Sequence, residues 1–99
     1  MTLDRHVEFK VVMQRGSRLQ VPKLIRWEFK LEPAQVLRIA LHFDGHWGTR
    51  EEFFGHINKA GRITVPKLIC SLLKNTYNGH ELAEATFVVE LEPADKPDE

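Results

Sequence analysis

Apolar and polar residues alternate along several short stretches of the chain. Apolar side chains occupy every second position over residues 7–13, 37–43 and 85–91. This two-residue period is typical of β-strands that bury one face, and a shorter run of the same kind follows at 18–21. The pattern therefore predicts a mainly β protein with short strands.

A different spacing follows residue 66. Leu68, Ile69, Leu72 and Leu73 form an i, i+1, i+4, i+5 set, which places one apolar stripe along a helix. Pro66 precedes this set, and its fixed φ suits the first helical position. The spacing predicts a short helix with this stripe buried. An earlier segment after residue 22 predicts a second short helix that is less completely covered.

The two predicted helices belong to two copies of one unit. RLQVPKLI begins at Arg18 and RITVPKLI begins at Arg62, an offset of 62 − 18 = 44, and six of the eight positions are identical. Phe9 and Phe53 match at the same offset. Each copy is read as strand, turn, strand and helix, and the duplication predicts a molecule with pseudo-twofold symmetry.

The number and spacing of elements predict one closed barrel. The 99 residues suffice for one domain, no crossover is long enough for a parallel α/β sheet, and ring closure removes exposed strand edges. We expect six to eight strands and two short helices in a barrel over 1–92. Repeat one covers about 6–43, repeat two covers about 50–91, and an acidic disordered tail covers 93–99.

Charge and composition narrow the classes of function. Net charge is zero, with an excess of 8 − 5 = +3 over residues 1–46 and 6 − 9 = −3 over 47–99. This balance argues against a protein that coats nucleic acid non-specifically but permits a local basic patch. A charged start and the lack of a long apolar run predict a cytoplasmic protein without membrane contact. The single Cys70 excludes an internal disulfide and is expected to be a buried small hydrophobe.

A family resemblance rests on the repeated segments. GSRLQVPKLI and AGRITVPKLI resemble the G-R-I-T-I-P-K and helix core of the SpoVT/AbrB superfamily. Residues 31–35, LEPAQ, resemble its L-x-P-G-D piece, although Ala34 and Gln35 depart from it. Members with one unit form interlaced dimers. Two units in one chain resemble the duplicated cradle-loop barrels, with RIFT, double-psi and swapped-hairpin strand orders left open, and imply a monomer.

The resemblance also implies a site. SpoVT/AbrB proteins use paired basic side chains around their loops to bind DNA, and this chain has three pairs at the 44-residue offset together with Arg26. The alternative interpretation makes the lysines solvated first-turn residues and the strand arginines bridges within the barrel. The candidate DNA-binding residues are Arg15, Arg18, Lys23, Arg26, Lys59, Arg62 and Lys67.

Signs of catalysis are missing from the sequence. It contains no phosphate-binding glycine loop, nucleophile elbow or H-E-x-x-H motif, so we expect no enzyme, cofactor or metal. The segment from His42 to His46 is better explained as a turn around Asp44-Gly45 than as a metal site. The leading hypothesis is a DNA-binding, transcription-regulator-like barrel. The rival is a protein-binding or assembly module that uses the groove beside Trp27, a residue that packing alone would also explain.

Overall fold

Strands and helices follow one another in the order expected of two copies of one unit. The computed structural model describes residues 6–28, 35–45, 48, 50–76, 82 and 84–94. Within these residues there are six strands and two helices. They are β1 Val7–Val12, β2 Arg18–Gln20, α1 Lys23–Glu28, β3 Leu37–Phe43, β4 Glu51–Gly55, β5 Arg62–Thr64, α2 Lys67–Thr76 and β6 Thr86–Pro93.

The strand pairing has the symmetry that the repeat predicts. A four-stranded antiparallel sheet has the order β1-β6-β3-β4, and β2 pairs antiparallel with β5. Exchanging β1 with β4, β2 with β5 and β3 with β6 leaves this pattern unchanged. Each strand therefore lies beside a strand of the other repeat or beside its own counterpart.

The register shows where the two copies differ in length. Val7 of β1 pairs with Leu91, and Glu51, which is Val7 shifted by 44, pairs with Leu41. Leu41 thus corresponds to Leu91, an offset of 91 − 41 = 50. The second copy is 50 − 44 = 6 residues longer between its helix and its last strand.

Backbone hydrogen bonds at the turns obey the same symmetry. Two of them close equivalent turns, and two others connect each turn to the segment that precedes the other repeat's helix. These bonds run from Gln14 N to Arg18 O (2.8 Å), Asn58 N to Arg62 O (2.9 Å), Val21 N to Gly61 O (2.9 Å) and Val65 N to Ser17 O (2.8 Å). The predicted turn at 14–17 is confirmed.

The core lies beneath the four-stranded sheet and is made by the alternating residues. Ile39, Leu41 and Phe87 are fully or almost fully buried, and the Phe43 and Phe87 rings lie 4.5 Å apart. The faces that the period-2 pattern predicted to be inward are buried in β3 and β6 and mostly buried in β1. In the two central strands the opposite face is partly covered as well, at Ala40, His42 and Val88. Leu82 also enters this core.

The stripe predicted to be buried on α2 is only half buried. Ile69 and Leu73 enter the core, whereas Leu68 and Leu72 are exposed. Neighbouring positions on a helix are rotated by about 100° from each other, so one flat contact surface covers only part of a four-residue stripe. No residue of α1 is buried, as its weaker apolar pattern predicted.

The hydrogen bonds of the described strands form two separate sheets. Ring closure, expected from sequence, is not seen in this pairing, because no ladder among these residues joins the β2–β5 pair to the larger sheet. β6 includes Pro93, and Ala94 N donates to Val36 O at 3.3 Å. The rest of the predicted acidic tail, residues 95–99, lies outside the described residues. No described helix combines the length and the hydropathy needed to span a bilayer.

Candidate nucleic-acid interface

The candidate cations are arranged around the two-stranded sheet of β2 and β5, the β2–β5 ribbon. Leu19 pairs with Ile63, and both are fully buried. Alternation then places the flanking residues on the opposite face of the ribbon, where Arg18 lies across from Thr64 and Gln20 across from Arg62. Arg18 and Arg62 are thus on one face, on a diagonal of about 8 Å between Cα atoms.

The two turns bring further cations to opposite ends of the ribbon. Arg15 and Lys59 are exposed in equivalent turns. Each turn binds the backbone just before the other repeat's helix, through the bonds of Ser17 O and Gly61 O. The turn with Arg15 therefore approaches the start of α2, where Lys67 is exposed, and the turn with Lys59 approaches the start of α1.

Charge is segregated between these segments and the rest of the chain. Residues 14–27 and 58–76, here called the basic surface, contain eight Lys and Arg residues and no Asp or Glu. The remainder holds 14 − 8 = 6 basic and 14 acidic residues, a balance of −8. The zero net charge therefore conceals a strongly polarised molecule. The eight cations are the seven candidates and Lys74.

The ion pairs between described residues lie outside the basic surface. Lys10 lies 3.5 Å from Asp44, and Arg38 lies 3.5 Å from Glu92. Arg50 contacts Glu52 and lies 3.5 Å from Glu90. Within the described part of the chain, none of the eight cations of the basic surface forms an ion pair with a carboxylate. Their charge is thus not balanced by any carboxylate among the described residues.

Glu90 is an acidic residue whose charge is balanced within the protein. Its carboxylate interacts with His6 Nε2 at 3.2 Å and with Arg50. Burial raises the pKa of Glu90, but these two partners outweigh burial, and the pKa lies below its ordinary value of 4.5. Hydrogen bonding to Glu52 raises the pKa of Arg50. The Glu90 carboxylate is therefore charged and already paired at neutral pH.

Two of the candidate arginines also have structural contacts. Arg62 Nε donates to Gln20 Oε1 at 3.2 Å, and Gln20 Nε2 donates to the carbonyl oxygens of Ala60 and Gly61 at 3.2 Å each. This chain of bonds joins β2, β5 and the second turn. The interpretation of Arg62 as a bridge between strands is thereby supported, and Arg18, which is exposed, has no such bond among the described residues.

Arg26 packs against the second turn. Its guanidinium lies against Gly61, since a Cβ built on that glycine would be 2.6 Å from Arg26 Cζ. The equivalent contact in the other half joins Cys70 Sγ to Ser17 Oγ at 3.2 Å. A large side chain thus faces glycine in one half, and a small one faces serine in the other. Cys70 is partly buried, close to its predicted environment.

Exposed apolar side chains accompany the cations on both helices. Trp27 is 69% exposed, and Lys23 Nζ lies 5.1 Å from the centroid of its ring. Leu24 and its counterpart Leu68 are 75% and 69% exposed. Plain packing of Trp27, one of the two interpretations from sequence, is therefore wrong, because most of the indole is exposed to solvent.

The remaining sequence features do not add a site. His42 is buried and its Nδ1 bonds to Phe43 O at 2.9 Å, while Asp44 faces Lys10. His46 lies outside the described residues, and the part that is described contains no group of three possible metal ligands. Of the LEPAQ piece, only Gln35 is described.

Sequence reasoning missed two residues of this surface. Gln20 is uncharged and corresponds to Thr64, so neither its charge nor the repeat identified it. Lys74 corresponds to Lys30 at the same offset of 44, a signal that the sequence already carried.

Comparison with known proteins supports the fold alone. The sequence matches no protein-family model and no curated protein. The chain is similar in structure to PHS018 from Pyrococcus horikoshii, which was solved in solution, with a TM-score of 0.71 and 18% sequence identity. The match covers 93% of this chain and 95% of PHS018. Nearly the whole chain thus adopts an architecture that a distant sequence also forms.

Proposed function

We propose that this protein binds DNA through the basic surface and acts as a transcription-regulator-like module without catalytic activity. The proposal includes a cytoplasmic location and a cradle-loop barrel of SpoVT/AbrB type, closed by contacts beyond the hydrogen-bonded ladders of the two sheets. The symmetric strand pairing and the two strand–proline–helix units support that class. RIFT and double-psi strand orders are both forms of the proposed barrel.

The observation that carries the proposal is the segregation of charge. Eight cations lie in segments without a single acid, while the described cations elsewhere, Lys10, Arg38 and Arg50, are paired with carboxylates. Phosphate groups attract Lys and Arg that a protein leaves unpaired, and their binding releases counterions from the DNA. A polarised molecule of zero net charge can bind in this way with one face only.

The shape of the surface also fits a duplex. A two-stranded β-ribbon can enter the major groove, and the β2–β5 ribbon presents Arg18, Gln20 and Arg62 on its exposed face. Arg15 and Lys59 extend from turns at its two ends, where phosphates on either side of the groove would lie. Turn cations then set position, and ribbon side chains contact base edges.

A second function is favoured by one specific observation. Leu24, Trp27 and Leu68 expose apolar surface beside the cations, and aromatic and apolar anchors are typical of protein interfaces. A protein-binding or assembly module would use these residues to dock an acidic partner. Such a module would not need free phosphate-binding cations at both turns, and for this reason DNA is the leading proposal.

The test is a titration of labelled mixed-sequence duplex at several salt concentrations. We expect the logarithm of the binding constant to fall linearly with the logarithm of salt. The double variant R15A/K59A should retain the fold, because both side chains are exposed in turns. Its salt slope should be smaller by about 1.8, since each phosphate contact contributes about 0.9.

A matched control removes the same charge from the opposite side of the molecule. K10A/R38A also lowers the net charge by two, but its cations are partnered by Asp44 and Glu92 on the larger sheet. We expect its salt slope to equal that of the parent. If the two double variants lose slope equally, the effect is one of net charge alone. If the parent does not bind duplex at low salt, DNA recognition is wrong and the protein-module proposal replaces it.

A further inference from the structure

Trp27 gives the basic surface a feature that duplex binding does not use. Its indole is 69% exposed on a helix with no buried residue, so the side chain does not stabilise the core. Trp is enriched at interfaces, where its ring supplies a large contact area, and Leu24 is exposed on the same helix. The surroundings of the ring indicate which ligand.

Two cations precede the ring on α1, and one acid, Glu28, follows it. Lys23 Nζ lies 5.1 Å from the ring centroid, and Arg26 is the preceding residue. Because Arg26 packs against Gly61, α1 lies beside the turn that carries Lys59. The helix that carries the indole thus lies next to cations of both repeats. Because Lys23, Arg26 and Lys59 outnumber Glu28 around this helix, the local charge favours a polyanion.

A polyanion that also presents flat apolar rings is a nucleic acid with unpaired bases. In a duplex the base faces are stacked against each other, and the grooves expose only their edges. An indole on a convex surface can stack on a base only where that base is free. We propose that Trp27 is a stacking platform for an unpaired base, with Lys23, Arg26 and Lys59 holding the adjacent phosphates.

The stacking platform is not repeated in the second copy of the unit. Trp27 corresponds to Ser71 at the offset of 71 − 27 = 44, while the cations at 23 and 59 have basic counterparts at 67 and 15. The two halves thus share the electrostatic attraction, and of the two described helices only α1 carries an exposed aromatic ring. The surface therefore has a preferred side for a single strand.

The inference rests on the proposed function and can fail separately from it. The probe is a fluorescein-labelled oligothymidine strand, measured by anisotropy beside a duplex of the same length. Loss of one stacking contact should weaken binding of W27A to the single strand by about 5- to 150-fold. The salt slope should stay unchanged, because no charge is removed, and duplex binding should change less than about twofold.

Two further variants control the measurement. W27F keeps a ring at the same position and should bind the single strand between the parent and W27A. Phe54 is 63% exposed but lies on β4 of the four-stranded sheet, outside the segments of the basic surface, so F54A should bind like the parent. Circular dichroism should be unchanged in W27A, since alanine favours helix and the indole is exposed.

Three outcomes would contradict stacking of a base on Trp27. If W27A binds the single strand within about twofold of the parent, or if W27F is as weak as W27A, stacking on this ring is wrong. Equal losses in W27A and F54A would also overturn it. In all of these cases a parent that binds duplex leaves the proposed function standing. If the parent binds neither strand nor duplex, both proposals are wrong.

Discussion

At the scale of single residues, Gly61 and Arg26 form a matched pair. Gly61 has a φ of +81°, which L side chains rarely adopt, and its missing Cβ leaves space for the Arg26 guanidinium. In the other repeat, Ser17 has a φ of +58° and faces the smaller Cys70. The two turns thus share a left-handed backbone conformation at this position. In one turn a large side chain packs against glycine, and in the other a small side chain packs against serine.

This pairing predicts a non-additive effect on stability. G61A should lower the free energy of unfolding by about 1–2 kcal/mol for the backbone alone. The displaced Arg26 should add about 0.5–1 kcal/mol, a modest amount because its guanidinium is the end of a flexible chain. In an R26A background this additional loss should disappear. Urea denaturation of the two single variants and the double variant measures the coupling.

Gly45 supplies the control for the backbone contribution. Its φ is +84°, yet nothing lies within 4 Å of the position that a Cβ would take. G45A should therefore show the backbone penalty without a steric one, and R26A should leave that penalty unchanged. Additive effects of G61A and R26A would contradict the contact between α1 and the second turn.

At the scale of elements, α2 is a helix with two apolar sides and only one apolar neighbour. Leu73 is fully buried, whereas Leu68 is exposed on the side that faces away from the core. Burial by the sheet stabilises the first side. The second side is left for a ligand or for solvent, and it lies with Lys67 on the basic surface.

The two sides should respond differently to truncation. L73A should lower the free energy of unfolding by about 2–5 kcal/mol, since it removes buried methyl groups and leaves a cavity. L68A, which makes the same chemical change on the same helix, should cost within about 0.5 kcal/mol. Chemical denaturation of both variants measures this difference. Similar losses would mean that α2 packs by its other side.

At the scale of the whole molecule, the two repeats are interlocked within one chain. β1 pairs with β6 and β4 pairs with β3, so strands of the first repeat find partners in the second. The radius of gyration of 13.1 Å is that of a compact domain, for which about 13 Å is expected at 100 residues. One chain thus contains both halves of a symmetric unit.

We therefore expect a folded monomer in solution. The contacts that a one-unit relative would take from a second chain are made here within one chain. Sedimentation velocity at micromolar concentration should give the mass of one 99-residue chain. An obligate dimer would contradict this expectation, whereas a dimer that forms only on added DNA would not, because binding can bring two monomers together on one ligand.

Much of the fold could be predicted from local patterns. The period-2 runs around Phe9, Ile39 and Phe87 predicted buried strand faces, and the 44-residue repeat predicted two equivalent units. The helix starts predicted at Pro22 and Pro66 were correct to within one residue. The carbonyl oxygens of both prolines accept the first helical hydrogen bonds, and each helix begins at the next residue. Such features follow from the sequence because backbone geometry repeats over a few residues.

The candidate site could be predicted only in part. Arg15 and Lys59 were identified by the repeat and are exposed in their turns, as a binding role requires. The partners of Arg62 and Arg26 could not be foreseen, since Gln20 and Gly61 lie about 40 residues away from them along the chain. Whether a cation is free or engaged depends on which distant groups the fold brings beside it.

The sequence by itself determined the alternation of strand faces, the two turns, the two helix starts and the acid-free composition of the repeated segments. Each of these depends on residues close together in the chain. Only the tertiary structure decided that β2 pairs with β5, that carboxylates neutralise Lys10, Arg38 and Arg50, and that Trp27 is exposed. These outcomes depend on how the two repeats pack against each other. Local sequence patterns do not specify that packing, because the same strands and helices are compatible with more than one topology.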